Sequence, residues 1–571
     1  MDKEQLAAAK AHLKHWQAAD IEPALAEELA LISKSPESYY EAFFQPIKFG
    51  TAGMRGELGV GPNRLNTYTV RQVTLALAQL LEAEGEAAKA AGVVLAYDNR
   101  HGSTRFAREA ATLLSSQGIK TYLFTEPRPT PELSFAVREL GTFAGIMLTA
   151  SHNPKNYNGY KLYGADGAQM VPKHVDRLLA YRKHLDPLAI ALPAWSEVQV
   201  EELPPAWDKH YLKAIAPTNI QPELLREASS LKIVYTALEG TGQALMTQAF
   251  AQAGYSHLTT VLEQAQPNAD FAHTASPNPE EAQAFSLAKV YGEREQADLL
   301  LASDPDADRL GAMVPDDTGT YQVLTGNQIA SLLLAYCVEA APVKTGQVGV
   351  LMKSIVSGEL PAVIAKKKGL KVLETLTGFK WLAEQIALLE GQDHDQLTLA
   401  FEESYGFLRL PVVRDKDAIQ AALLLSEVAA YHKKHGRSLW QALTDLFETY
   451  GYHLEKTLAI KKPGEHGHAE IKTLLANLRA QPKKTIAGTS VLACEDYERG
   501  KVQWVEGGEQ TLSLPQSNVL KYRLADETWL ALRPSGTEPK LKIYLGVKSK
   551  SRAEAKARLA HYEAEVNSWL T

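Results

Sequence analysis

Residues 149–161 read Thr149-Ala-Ser151-His152-Asn153-Pro154-Lys155-Asn-Tyr-Asn158-Gly159-Tyr-Lys161, directly after the apolar run Phe143-Ala-Gly-Ile-Met-Leu148. A run of that length and composition suits a parallel strand buried on both faces. Asn153-Pro154 and Asn158-Gly159 are strong turn signals just beyond it. The pattern predicts a tight loop at the carboxyl end of a strand, where open α/β sheets bind ligands. Ser151 lies in that loop beside His152, and Lys161 is near enough in sequence to return to it. A plain strand-to-loop turn fits the local sequence about as well, so distant stretches must decide.

Upstream, an amphipathic pattern over about 68–91 precedes Val93-Val-Leu-Ala-Tyr97. A helical pattern starts near Ser103, whose side chain could cap it, and a strand at 119–124 and a Pro-rich turn at 127–131 follow. The alternation predicts a right-handed βαβ layer ending at the Ser151 loop. The same frame recurs twice downstream. Leu231-Lys-Ile-Val-Tyr235 opens a second unit, with Gly240-Thr-Gly242 at a strand-to-helix turn; Ala297-Asp-Leu-Leu-Leu-Ala-Ser303 then runs into Asp304-Pro-Asp306-Ala-Asp308-Arg309. A third unit begins near Leu324, with strands expected at 348–352 and 371–373, and residues 397–401 lead into Glu402-Glu-Ser404-Tyr-Gly406. Each copy places an apolar strand before a polar loop. From about Gly451, short strand candidates, a long polar segment at 463–484 and a terminal helix at 551–570 suggest a smaller α+β domain. Residues 2–45 read as helices broken near Pro23 and Pro36.

The expected fold is therefore α/β: three similar α/β domains with mixed sheets plus a smaller C-terminal α+β domain, around a central cleft. The expected domains are 1–215, 216–323, 324–450 and 451–571, with the first boundary in the proline-rich segment 186–222. A chain of 571 residues is too long for one ordinary core. A net charge of −7 without a long basic run makes nucleic acid an unnatural partner. Cys337 and Cys494 are far apart, so neither a disulfide framework nor a cysteine zinc site is implied. The acid-bearing N-terminus has no signal-peptide core, and no apolar run would span a bilayer. A cytoplasmic protein without a membrane partner is expected; monomer and dimer stay open.

Asp304, Asp306 and Asp308 alternate, and in an extended segment alternate side chains share a side. Three converging carboxylates repel unless a cation sits between them, and oxygen-only ligands favour Mg²⁺ or a similar hard ion. An EF-hand is excluded, because Arg309 and Pro315 stand where its glycine and bidentate glutamate belong. Residues 49–59 hold four glycines and one cation, Arg55, a backbone able to turn closely around a ligand whose phosphate the arginine could fork onto, although a flexible hairpin with an exposed arginine fits the local sequence as well. Residues 530–544 form a loop between strand patterns. Its Arg533-Pro-Ser535-Gly536-Thr537, with Lys540 and Lys542, combines a guanidinium, hydroxyls and a glycine that suit a phosphate dianion. It lacks the spacing of a Walker loop. Glu402 and Ser404 suit sugar hydroxyls, although acids in the first turn of a helix fit the same residues.

Together the four loops resemble the α-D-phosphohexomutase family, the phosphoglucomutases and phosphomannomutases, with their motifs in order along nearly the whole chain. Phe49-Gly-Thr-Ala-Gly-Met-Arg-Gly56 looks like the branch holding phosphoglucomutases and phosphopentomutase-like enzymes. The resemblance implies that Ser151 becomes a phosphoserine and that Asp304, Asp306 and Asp308, with a phosphoserine oxygen, hold one Mg²⁺. It places Arg55, His152 and Lys161 around that phosphoserine and Arg309 toward the substrate. Thr377-Gly378-Phe-Lys380 matches a family segment whose lysine is proposed for proton transfer, with Gly378 in the substrate loop. Other branches use a histidine near that position, which leaves the base open. Glu402 and Ser404 would bind the sugar, and Arg533, Ser535, Gly536, Thr537 and Lys542 the distal phosphate.

The implied reaction moves a phosphoryl group between C1 and C6 of glucose phosphate through glucose 1,6-bisphosphate. The same chemistry on mannose or pentose phosphates is the nearest rival. A non-catalytic sugar-binding member is disfavoured, since it has no need of Ser151, three aspartates and Lys380 together. A metal-dependent phosphatase would need a site open to water.

Overall fold

The computed structural model describes residues 3–50, 53–341, 346–392, 394–462, 467–535 and 540–569. The chain forms two compact units. One comprises residues 1–326, 378–393 and 399–438, and the other 327–377, 394–398 and 439–571.

The first unit opens with helices Lys3–Gln17, Pro23–Ile32 and Pro36–Phe43. Pro23 and Pro36 start their helices, where the missing N–H costs nothing. A seven-stranded mixed sheet follows, in the order Phe49–Gly50, Gly53–Glu57, Tyr157–Gly164, Ala144–Leu148, Val93–Tyr97, Thr121–Phe124, Glu201–Leu203. Val93–Tyr97 and Ala144–Leu148 pair in parallel and are buried throughout. Their apolar side chains have helices to cover both faces, which explains continuous rather than alternating hydrophobicity. The proline-rich segment contributes Glu201–Leu203, parallel to Thr121–Phe124. A second, five-stranded sheet runs Tyr321–Leu324, Leu310–Pro315, Leu299–Ser303, Ile233–Thr236, Leu258–Thr260. Leu299–Ser303 is parallel to Ile233–Thr236 and antiparallel to Leu310–Pro315.

The expected helix cap at Ser103 is corrected. Gly102 takes the cap position of Ser103–Ser116, and Ser103 Oγ instead donates to Asp98 Oδ1 at 2.6 Å. A buried carboxylate facing the helix start outcompetes the local cap.

The second unit pairs Val348–Ser354 in parallel with Lys371–Thr375. Its largest sheet runs Tyr452–Lys461, Lys540–Ser549, Trp529–Pro534, Leu520–Leu524, Thr489–Asp496, Lys501–Trp504, Glu509–Thr511. The segment read as polar, 463–484, contains the helix Gly467–Ala480. Ile471, Leu475 and Leu478 recur at helical spacing and bury one side in the sheet core. Ser551 Oγ accepts from Glu554 N and caps the terminal helix Arg552–Ser568. Cys337 and Cys494 are free and buried. Among the described residues no helix is long and apolar enough to cross a membrane.

Candidate active site

Ser151 follows Ala144–Leu148 with φ 52°, a left-handed conformation that costs a residue with a Cβ about 1–3 kcal/mol. Its surroundings must therefore over-determine it. Thr149 Oγ1 accepts from Ser151 N at 2.8 Å. Arg100, buried just past Val93–Tyr97, donates to the carbonyls of Ser151, Asn153, Pro154 and Tyr157. Arg55 Nη1 donates to Asn153 Oδ1 at 3.0 Å, and burial, with Arg309 next in effect, lowers its pKa.

Ser151 Oγ donates to Asp304 Oδ2 at 2.7 Å and lies 3.2 Å from His152 Nδ1. Oxygens of Asp304, Asp306 and Asp308 all lie within 4.8 Å of one another, and the three residues are buried. They converge differently from the sequence expectation. The loop is a turn rather than an extended segment: Ala307 has φ 48° and donates to Asp304 O at 2.9 Å. Asp304 Oδ1 also accepts from Asp308 N and Arg309 N at 3.1 and 3.0 Å, so the first carboxylate folds the chain that brings the others round.

Burial pushes the Asp304 carboxyl well up, and Asp306 and Asp308 push it further. Burial and then Asp306 raise Asp308. Burial opposes the charge of Asp306 most strongly, but Lys161 together with hydrogen bonds from Asp304 and Thr130 holds that carboxyl far below the usual range. Lys161 Nζ is 2.8 Å from Asp306 Oδ2 and 3.5 Å from Asp308 Oδ2. Asp306 Oδ1 and Asp308 Oδ1 are buried without a hydrogen-bond partner. Orphaned carboxylate oxygens converging in a desolvated loop fit a hard divalent cation.

Arg309 Nη1 donates to Glu280 Oε1 at 2.6 Å and to Ser404 O at 3.1 Å, joining the aspartate loop to the 402–406 loop. Glu402 Oε1 accepts from Gly378 N at 2.7 Å, and burial and then Glu403 raise its pKa. Gly378 has φ 115° and precedes the helix Phe379–Glu390, whose second residue is the buried Lys380.

Ser151, His152, Lys161, Arg55, the three aspartates, Arg309 and Ser404 are thus linked contact by contact, and Glu402, paired with Gly378, opens the loop that carries Ser404. Arg533, Ser535 and Lys542 belong to the other unit. Arg533 and Lys542 are cross-strand partners, and Ser535 N donates to Lys540 O at 2.7 Å. Gly536 and Thr537 lie outside the described residues.

Three participants escaped the sequence reading. Thr130 Oγ1 donates to Asp306 Oδ2 at 2.8 Å. Lys416 Nζ is 3.2 Å from Asp308 and 2.8 Å from Asp415, and stands over the Phe379 ring. Burial disfavours its charge, but Asp308 and Asp415 outweigh burial and keep it protonated. Arg100 is the third. The available signals were Asp98-Asn-Arg100 at a strand end and the charged run Arg414-Asp-Lys-Asp417 before an apolar helix.

Models of the phosphoglucomutase/phosphomannomutase family match the chain four times in order. The alpha/beta/alpha domains I, II and III match residues 46–187, 209–319 and 325–450, and the C-terminal domain matches 475–565. The phosphoglucomutase of Staphylococcus aureus strain MSSA476 is 38% identical over 517 residues, 90% of this chain and 91% of that one. That of strain USA300 is 38% identical over 514 residues, covering 89% and 91%. In fold, the chain resembles the open form of pp63/parafusin, a phosphoglucomutase from Paramecium (TM-score 0.67, 19% identity, 92% and 96% covered). It also resembles a phosphoglucomutase/phosphomannomutase family protein from Burkholderia thailandensis (TM-score 0.65, 18% identity, 91% and 96% covered). With four domain models matched in order and relatives at 38% identity across nine-tenths of its length, the chain belongs to the α-D-phosphohexomutase family, that of the phosphoglucomutases and phosphomannomutases.

Proposed function

We propose that this phosphohexose mutase interconverts glucose 1-phosphate and glucose 6-phosphate, with Ser151 as phosphoryl carrier and glucose 1,6-bisphosphate as intermediate. The observation that carries the reading is Ser151 Oγ, 2.7 Å from Asp304 at the edge of three buried, converging carboxylates. The phosphoglucomutase relatives favour glucose.

Asp304, Asp306 and Asp308, with phosphorylated Ser151, would hold a Mg²⁺ ion, which supplies charge stabilisation to the transferring phosphoryl group. Lys161, Arg55 and His152 offset the charge of the phosphoserine. Arg309, Gly378, Glu402 and Ser404 orient the sugar. Arg533, Ser535, Gly536, Thr537 and Lys542 grip the phosphate that is not reacting. A sugar hydroxyl oxygen forms its bond to phosphorus as the Ser151 Oγ–P bond breaks. The hydroxyl proton passes to Lys380 and ends on Ser151 Oγ, leaving a serine hydroxyl able to donate to Asp304. The bisphosphate then binds turned around, and the reverse sequence returns its other phosphoryl group to Ser151.

Glucose 1-phosphate, mannose 1-phosphate and ribose 1-phosphate, each with Mg²⁺ and a trace of the matching bisphosphate, test the assignment. Fastest turnover of glucose 1-phosphate supports it. Preference for another sugar reassigns the substrate, and release of free phosphate in place of isomer would make the protein a phosphatase.

A further inference from the structure

The loop that carries Ser151 is held from two neighbouring domains. Four carbonyls of residues 151–157 point at a single guanidinium. Arg100 Nη2 donates to Ser151 O and Asn153 O, and Nη1 to Pro154 O at 2.8 Å and Tyr157 O at 3.2 Å. Its Nε lies 3.3 Å from Asp98 Oδ2, an ion pair without a hydrogen bond, so both terminal nitrogens of the fork are given to the serine loop. No lysine could copy this, because three ammonium protons cannot serve four carbonyls at once.

The face of that guanidinium is covered by the second domain. The Phe271 ring centroid lies 5.1 Å from Arg100 Cζ, and Phe271 is buried with φ 49°. Its segment is anchored at both ends. Asn268 Nδ2 and His273 N donate to the buried Glu239 carboxylate at 2.9 Å each, and Asn99 Nδ2, beside Arg100, donates to Glu239 O at 2.9 Å. Asp270 lies 3.2 Å from Lys155, within the serine loop itself.

We infer that Arg100 is a positioning residue that fixes the carrier serine for transfer, and that the Phe271 ring, supplied by the following domain, sets how firmly Arg100 is held. The inference rests on the reading of Ser151 as phosphoryl carrier. The second domain then brings two things to the serine, the aspartate loop and the ring that stiffens its support. The contacts of Arg100 run to the serine loop, Asp98 and the Phe271 ring, so loosening them affects transfer rather than binding.

The test separates a ring contact from simple filling of space. Phe271→Tyr keeps the ring, Phe271→Leu keeps apolar bulk without it, and Phe271→Ala loses both. A cation–π contact corresponds to roughly 3–30-fold in a rate or equilibrium, the upper end applying when it is desolvated. Phe271→Tyr should match the wild type. Phe271→Leu should lower kcat within that range while KM for glucose 1-phosphate moves less than about twofold and Tm holds. Phe271→Ala should lower kcat at least as far. Wild-type kinetics in Phe271→Leu, or a loss expressed in KM alone, would overturn the inference. Arg100→Lys gives a second readout. It should slow phosphorylation of Ser151 by glucose 1,6-bisphosphate, followed by intact mass, and an unchanged rate would also overturn it. Ser151→Ala is the control: if that variant still turns over, the carrier assignment itself has failed, which is distinguishable from normal kinetics in Phe271→Leu beside an inactive Ser151→Ala.

Discussion

Asp304 does three jobs with one side chain. It folds the aspartate loop, accepts from Ser151 and offers an oxygen to the carboxylate cluster that fits a cation. The cost is repulsion, since burial and its two neighbours disfavour its ionised form. Asparagine keeps the fold-making acceptor and turns an amide toward Ser151 Oγ. Asp304→Asn should therefore melt no lower than the wild type without metal, while gaining less from Mg²⁺ and turning over more slowly. Binding to the folded state alone stabilises by about 2.7 kcal/mol at a hundredfold excess over Kd, so thermal melts with and without Mg²⁺ resolve the difference. An equal gain in both proteins would remove Asp304 from the site. The aspartates and Ser151 were legible because their residue types announce their chemistry. Lys416 was not, because a lysine in a charged run reads as solvated surface until Asp308 and Asp415 are seen to bury with it.

Three site loops share one device, an apolar strand that turns into an antiparallel partner. Ala144–Leu148 leads to Tyr157–Gly164, Leu299–Ser303 to Leu310–Pro315, and Asp395–Glu402 to Gly406–Leu408. The repeat was readable because buried strands leave continuous apolar runs. The Gly467–Ala480 helix was harder to read, since three apolar positions among many polar ones are a thin signal. The turn at Asp304 was missed because spacing alone cannot tell a pleat from a chain reversal. One element depends on a single backbone angle. Gly378 starts the helix carrying Lys380 at φ 115°, a region costly for any residue with a Cβ, while its N–H bonds Glu402. Gly378→Ala should cost about 1–3 kcal/mol and lower kcat by displacing Lys380 and Glu402 together. Urea denaturation and steady-state kinetics check both parts, and a variant with wild-type kcat would detach this turn from catalysis.

For the molecule as a whole, the proposed function requires one phosphosugar to be used in two orientations with one carrier serine. On that proposal the Arg533 loop would meet the 6-phosphate in one direction and the 1-phosphate in the other. Loss of a charge-assisted bond there should cost about 1.5–3 kcal/mol, roughly ten- to a hundredfold in binding. Arg533→Ala should thus weaken forward and reverse substrates by similar factors, as kinetics in both directions would reveal, and a defect confined to one direction would contradict a shared holding loop. Everything else depends on Ser151 accepting and returning a phosphoryl group. Intact-protein mass spectrometry tests this most directly, on the wild type and Ser151→Ala, each incubated with Mg²⁺ and glucose 1,6-bisphosphate and then with excess glucose 6-phosphate. The account predicts one added phosphoryl group on the wild type, lost again as isomer forms, and none on the variant, which is inactive. A Ser151→Ala protein that gains the group or keeps its mutase activity would contradict it.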